Sequence, residues 1–194
     1  MPGESLITRI REYNEITNVG PILRRYFVIG AFDGALTVLG IIFGGIAAGA
    51  GEESTFLILA LSLSAAIALS ISSLVGAYEA ERVEKKLDQM SMERAMLSEI
   101  SETHRDAFRF AAVLSAGIHG LAPLVAALVP VIPFLVLSFE IAAPVSIIIT
   151  FSFLFFMGIY LGGLAKERAY ITGLRFVIAG LATAIVIWLL GGPF

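Results

Sequence analysis

One carboxylate in this chain stands where carboxylates are rarely tolerated. Arg24 and Arg25 precede an apolar run whose single charge is Asp33. Counted from Arg25 at about 1.5 Å per residue, Asp33 lies roughly 12 Å into a membrane-spanning helix. A carboxylate at the centre of such a helix costs about 2.5–3.5 kcal/mol. Its retention points to a bound cation or an exchangeable proton. The bland alternative is a carboxyl group kept protonated, or hydrogen-bonded to Ser and Thr of neighbouring spans, for packing alone. Gly30, Gly34, Gly40, Gly44 and Gly45 keep one side of this helix thin. The Gly40-to-Gly44 spacing allows close helix contact, within a subunit or across a dimer.

A second group of ligand types lies in the one long polar segment, Glu79 to Asp106. On an unbroken helix, Glu81, Glu84, Asp88, Met92, Glu99, Glu102 and Asp106 fall within about 80° of arc. Met96 flanks that stripe, while Met90 and Glu93 lie elsewhere on the wheel. Carboxylates suit hard or borderline cations and thioethers suit softer ones, so the mixture favours Fe²⁺ or Mn²⁺ over Ca²⁺ or Mg²⁺. Zn²⁺ and Co²⁺ are further candidates. The competing reading is a solvated helix face laced with i,i+4 pairs such as Glu81 with Lys85. The chain must turn back before the next span, and Met90-Ser91 is one candidate break.

His119 is the third candidate. It follows Arg109 by roughly 15 Å of helix, at a depth similar to that of Asp33. It could relay protons or bind metal, or simply hydrogen-bond a neighbouring backbone. No nucleophile–base arrangement, His-Glu-x-x-His pair or phosphate-binding glycine loop accompanies these residues, so enzymatic chemistry has little support.

The elements that must position these groups are membrane spans. Of the 194 residues, 58% are hydrophobic and only 15% charged, a balance that fits a multi-pass membrane protein and not a soluble domain. The absence of cysteine excludes disulfides, zinc–thiolate sites and iron–sulfur clusters. No basic surface cluster supports nucleic-acid binding. Met1 to Asn18 is polar and mixed in charge, without the apolar core of a signal peptide.

Taken in order, residues 1–23 form a cytoplasmic amphipathic segment, with Leu6, Ile10 and Tyr13 at helical spacing and Gly20-Pro21 as its breaker. Residues 24–78 hold spans 1 (Tyr26 to Gly49) and 2 (Phe56 to Tyr78), joined by the turn Gly51 to Ser54. Residues 79–106 form the cytoplasmic helical segment, with Thr103 and Asp106 as a capping-box-like start to the next helix. Residues 107–194 hold span 3 (Ala107 to Leu128, kinked at Pro123 and closed by Pro130 and Pro133), span 4 (Ala142 to Leu164) and span 5 (Ile171 to Leu190). The expected fold is therefore all-α and integral to the membrane, with five transmembrane helices. All 13 Lys and Arg residues fall on the side of the N-terminus or within a turn of it, whereas Glu52, Glu53 and Glu140 fall opposite. The positive-inside rule then puts the N-terminus and polar segment in the cytoplasm and the C-terminus across the membrane.

With these residues in view, the chain resembles the vacuolar iron transporter family, five-span carriers that include nodulin-like and yeast vacuolar iron and manganese importers. Phe32-Asp33-Gly34-Ala35-Leu36-Thr37 is similar to the family's first-span Ser-Asp-Gly-Leu-Thr segment. The stretch Gly76 to Glu84 resembles the family's exit from the second span. Leu87 to Glu93 resembles the Met- and Glu-bearing last helix of its cytoplasmic metal-binding domain. Gly120-Leu121-Ala122-Pro123-Leu124 resembles its third-span Gly-Leu-Ile-Pro-Leu, and Gly158 and Gly162 fall at its fourth-span glycines.

The resemblance implies export of Fe²⁺ or related divalent ions from the cytosol in exchange for protons. It further implies a homodimer in the lipid bilayer, with the metal path between subunits near Asp33 and no permanently bound cofactor. Two departures stand out. The family's second-span Glu and Met fall at Ala65 and Ser73, and the cytoplasmic segment is too short for the full three-helix metal-binding domain. Ser70, Ser72, Ser73 and His119 are candidate substitutes on the ion path. For so compact a chain a prokaryotic cell membrane is the expected location. A non-transporting membrane sensor or scaffold, its cytoplasmic helices binding metal or a partner, is the rival reading.

Overall fold

The computed structural model describes residues 6–191, which are almost wholly helical. The elements are α1 (Leu6–Thr17), α2 (Gly20–Ala47), a 3₁₀ turn (Glu52–Ser54), α3 (Thr55–Met96), α4 (Glu102–Val131), α5 (Pro133–Val136), α6 (Phe139–Leu164) and α7 (Ala169–Leu190). Among them α2, α3, α4, α6 and α7 are long and apolar enough to cross a membrane, which bears out the expected five-span all-α architecture.

Several boundaries differ from the expectation. Gly20-Pro21 does not break the chain. Asn18 does, at φ 45°, and Pro21 sits in the first turn of α2, where its missing N–H has no helical partner to lose. The second span and the polar segment are one helix of 42 residues, about 63 Å long against a hydrocarbon core of about 30 Å. Helix persists through Met90-Ser91 because residues 79–96 hold no Gly or Pro. Local side-chain bonds also brace it: Arg82 to Glu79 at 2.7 Å, Lys85 to Asp88 at 3.2 Å and Gln89 to Glu93 at 2.8 Å. The break falls instead at Leu97, which adopts the left-handed conformation with φ 52°.

The cap of α4 is Ser101, whose Oγ accepts the His104 N–H, and not Thr103 with Asp106. Nor does Pro130 close this helix, which runs through both Pro123 and Pro130 to Val131. Hydroxyls from neighbouring spans satisfy backbone groups near the two prolines: Ser70 Oγ donates to the Gly120 carbonyl at 2.5 Å and Ser146 Oγ to the Pro130 carbonyl at 2.6 Å. Glu140, ahead of the expected start of span 4 at Ala142, lies in the first turn of α6, and the Phe139 N–H donates to Glu52 Oε2 at 2.6 Å.

The interior is built of small residues. Ala31, Ala35, Ala107, Ala111, Ala122 and Ala142 are fully or nearly fully buried, while Phe56, Ile71, Phe156 and Trp188 face outward, as lipid-facing side chains should. α4 is the central helix, packed on α2, α3 and α1. α6 and α7 pair through glycines, Gly158 facing the Thr172–Gly173 backbone and Gly162 facing Ala169 and Thr172. Gly40 and Gly44 approach only the Ile187 side chain of α7, so their spacing makes no backbone contact within the chain. On α1, Tyr13 stacks on Phe110 with ring centroids 5.6 Å apart, and Ile10 is exposed. The Leu6 side chain of the expected apolar face lies outside the described residues.

Candidate functional site

The first span presents Tyr26, Gly30, Asp33 and Thr37 at intervals of four, three and four, one face of a helix. That face meets α4 at His119–Pro123. A Cβ on Gly30 would come within 3.0 Å of the His119 carbonyl and the Pro123 ring, and one on Gly34 would overlap the Pro123 backbone. The two glycines let the backbones touch beside Asp33. Pro123 has no N–H to donate to the His119 carbonyl four residues earlier, which places a bare carbonyl dipole against the Asp33 helix.

Asp33 is half-buried, and its backbone carbonyl accepts the Thr37 hydroxyl at 2.7 Å. Asp33 lies three residues along α2 from Gly30, where a Cβ would come within 3.0 Å of the His119 carbonyl, so both residues stand at the same α2–α4 contact. The His119 ring is held by two contacts with α2: Nδ1 lies 3.0 Å from the Tyr26 carbonyl, and the His119 and Tyr26 rings have centroids 4.9 Å apart. The structure thus sets Asp33 and His119 on facing helices at one contact, with the His119 ring bonded to Tyr26. Ser73 is half-buried on α3, and among the described residues no hydrogen bond joins it to either. Ser70, one turn earlier, spends its hydroxyl on Gly120.

Below this pair lies a contact that the sequence reading did not anticipate. Glu81, one of the stripe of ligand types, is 4% exposed and accepts the Tyr26 hydroxyl at 3.0 Å, with the Arg25 guanidinium 3.7 Å away. Its second oxygen, Oε2, is buried without a partner. Tyr26 therefore touches Glu81 through its hydroxyl and His119 through its carbonyl and ring. Tyr26 thus braces α2 against both α3 and α4. The heptad step from Tyr26 to Asp33 was the available signal.

The stripe itself is divided. Glu84 is exposed on α3, Asp88 pairs with Lys85 at 3.2 Å, and Met90, Met92 and Met96 are exposed. Glu93 accepts from Gln89 and from the Ile100 N–H at 3.5 Å. The Gln89 amide, helped by that N–H, holds the Glu93 carboxyl below the usual glutamate range. Glu99 lies beyond the break at Leu97 and pairs with Arg105 at 2.6 Å, and Glu102 opens α4. The single seven-residue stripe assumed an unbroken helix to Asp106, and the turn after Met96 removes that assumption. Among the described residues of one chain, no three His, Asp or Glu side chains converge as a metal-binding group.

The fold and site together define a class: an all-helical integral membrane protein of five spans, with an acidic residue and a histidine inside the spans. The chain belongs to the VIT family, the vacuolar iron transporter family, whose model matches residues 88–192. It is also 30% identical over 175 residues to the uncharacterized protein MJ0645 of Methanocaldococcus jannaschii, an alignment that covers 88% of this chain and 89% of that one. Family membership groups the chain with a family of membrane metal-ion transporters. The family match begins at Asp88, beyond Asp33, so the first-span site rests on its own geometry.

Proposed function

We propose that this protein carries divalent transition-metal cations, Fe²⁺ or Mn²⁺, out of the cytosol in exchange for protons. The carrying observation is Asp33, a half-buried carboxylate inside a span, beside His119 and the backbone contact made by Gly30, Gly34 and Pro123. Within a bilayer such a group holds either a metal ion or a proton, and alternation between the two couples their movements. His119 is the second group able to take up a proton there. The family's second-span Glu and Met fall at Ala65 and Ser73, so Asp33 acts with fewer side-chain ligands. Backbone carbonyls and hydroxyls, hard ligands, complete the shell.

In this reading the exposed carboxylates and thioethers of α3, Glu84, Asp88, Met90, Met92 and Met96, collect ions below the membrane. In a homodimer a second α3 adds its own carboxylates and thioethers to this collecting surface. The basic side, with the N-terminus, faces the cytoplasm of a prokaryotic cell.

Proteoliposomes loaded with a metal-sensitive dye test the proposal. Wild type should take up Fe²⁺ and Mn²⁺ faster under an opposing proton gradient, and Asp33→Asn, of unchanged volume, should abolish uptake while remaining folded by size-exclusion chromatography. Equal uptake by Asp33→Asn and wild type would sink the mechanism.

A further inference from the structure

Where α3 and α4 leave the spans on the basic side, a cleft of about 500 Å³ opens between them. That volume lies within the range of small-molecule sites, about 300–1,000 Å³. Its wall carries Arg82, Lys85, Lys86, Arg105 and Arg109, and among the described residues no carboxylate lines it. Three of these cations have counter-charges, but Glu79, Asp88 and Glu99 are themselves 52%, 45% and 84% exposed, so solvent screens them. Lys86 and Arg109 have no ion pair among the described residues. Arg105 pairs through its terminal nitrogen, while its Nε is buried without a partner.

The floor is aromatic. Tyr78 stands where α3 emerges from its apolar run, and Phe108 is buried beneath the Lys85 ammonium, 5.9 Å from its ring centroid. Lys85 is held there with its side chain only 13% exposed. Tyrosines are enriched at the membrane–water interface, where lipid headgroups lie. A folded chain that gathers five cations round one concavity gains from a multivalent anion there. Guanidinium forks match the geometry of phosphate oxygens.

We propose that this cleft binds a phosphate group, supplied by the headgroup of an anionic phospholipid or by a soluble phosphate compound. The site shares no residue with the Asp33 pair and does not depend on the transport reading.

The test is native mass spectrometry of the full chain in detergent, titrated with dioleoylphosphatidylglycerol, with dioleoylphosphatidylcholine, and separately with inorganic pyrophosphate. Phosphatidylglycerol should be retained over phosphatidylcholine. Lys86→Gln with Arg109→Gln should weaken that retention roughly thirtyfold, the effect of removing two juxtamembrane cations. Lys86→Arg with Arg109→Lys should restore it, and Arg94→Gln, outside the cleft, should leave it unchanged. Should the double variant misfold, Arg109→Gln alone is expected to show a smaller loss in the same direction. Binding of pyrophosphate without preference for phosphatidylglycerol assigns the cleft to a soluble phosphate compound. Equal retention of both lipids with no pyrophosphate bound overturns the proposal, as does undiminished binding by the folded glutamine variants.

Discussion

The Tyr26 hydroxyl donates to the Glu81 carboxylate at 3.0 Å, joining residues 55 positions apart at the base of the first two spans. Glu81 is 4% exposed and its Oε2 has no hydrogen-bond partner, so the Tyr26 bond and the Arg25 guanidinium, both at Oε1, are what compensate its burial. Tyr26→Phe should therefore destabilise the protein by about 1–3 kcal/mol, the usual effect of leaving a buried polar group unsatisfied. Adding Glu81→Gln should recover part of the loss, because the buried charge goes with it. Thermal unfolding of the two single variants and the double variant in one detergent measures the coupling. Independent, additive effects would rule out this role for the bond.

Close backbone approach beside Asp33 yields a second expectation. Gly34→Ala pushes a methyl group into the Pro123 backbone and should lower stability by about 1–3 kcal/mol, as overpacking does. Transport should fall as well, since α2 and α4 separate at the site. Gly117→Ala on α4 is the control, because nothing lies within 4 Å of its added Cβ. Helix propensity favours that change by up to about 1 kcal/mol. If both variants melt alike, the contact is not tight.

A third expectation separates collection from passage. Replacing Glu84, Asp88 and Met92 together by Gln, Asn and Leu should raise the metal concentration needed for half-maximal uptake, with the maximal rate preserved. Asp33→Asn should abolish the rate at every concentration. Uptake curves over a wide range of metal concentrations tell the two patterns apart. Loss of maximal rate in the triple variant would place those side chains on the path itself.

The turn after α3 is expected to respond to pH. Glu93 is held below the ordinary glutamate value of 4.5, first by the Gln89 amide and then by the Ile100 N–H and the nearby Arg105 and Lys86 charges. Its unfolded form therefore binds a proton more readily than the folded form does. The stabilisation is complete above 4.5 and is lost as pH falls through the lower folded value. Hydrogen-exchange protection of the Ile100 amide, corrected for intrinsic rates, should drop across that window. In Glu93→Gln it should not change with pH there.

Much of this was legible in the sequence, because membrane spans announce themselves by composition. A bilayer leaves no water for backbone groups, so long apolar runs must be helices, and five runs gave five of them. Asp33 and His119 stood out for the same reason: an ionisable group inside such a run is costly wherever it lands. The glycines near Asp33 were visible too. Their partner was not, and it proved to be Gly30 and Gly34 that meet α4, while Gly40 and Gly44 do not make such a contact within the chain.

What the chain alone determined is the set of apolar runs and the depth of the charges within them, since both follow from local hydropathy and helical rise. Only the tertiary structure decided which polar groups share a neighbour. Glu81 and Glu84 have the same type and nearly the same position along α3, yet one is buried against Tyr26 and the other is exposed. The direction in which each helix face looks depends on how α2, α3 and α4 pack, and packing between spans is a pairwise property that no single run encodes. The break at Leu97 is of the same kind. It rests on a left-handed residue without glycine, held in part by the Glu93 contact with Ile100 and the Glu99–Arg105 pair across the turn. That turn, invisible as a local signal, sends Glu99 and Glu102 away from Glu84 and Asp88, and so decides which ligand types can ever meet.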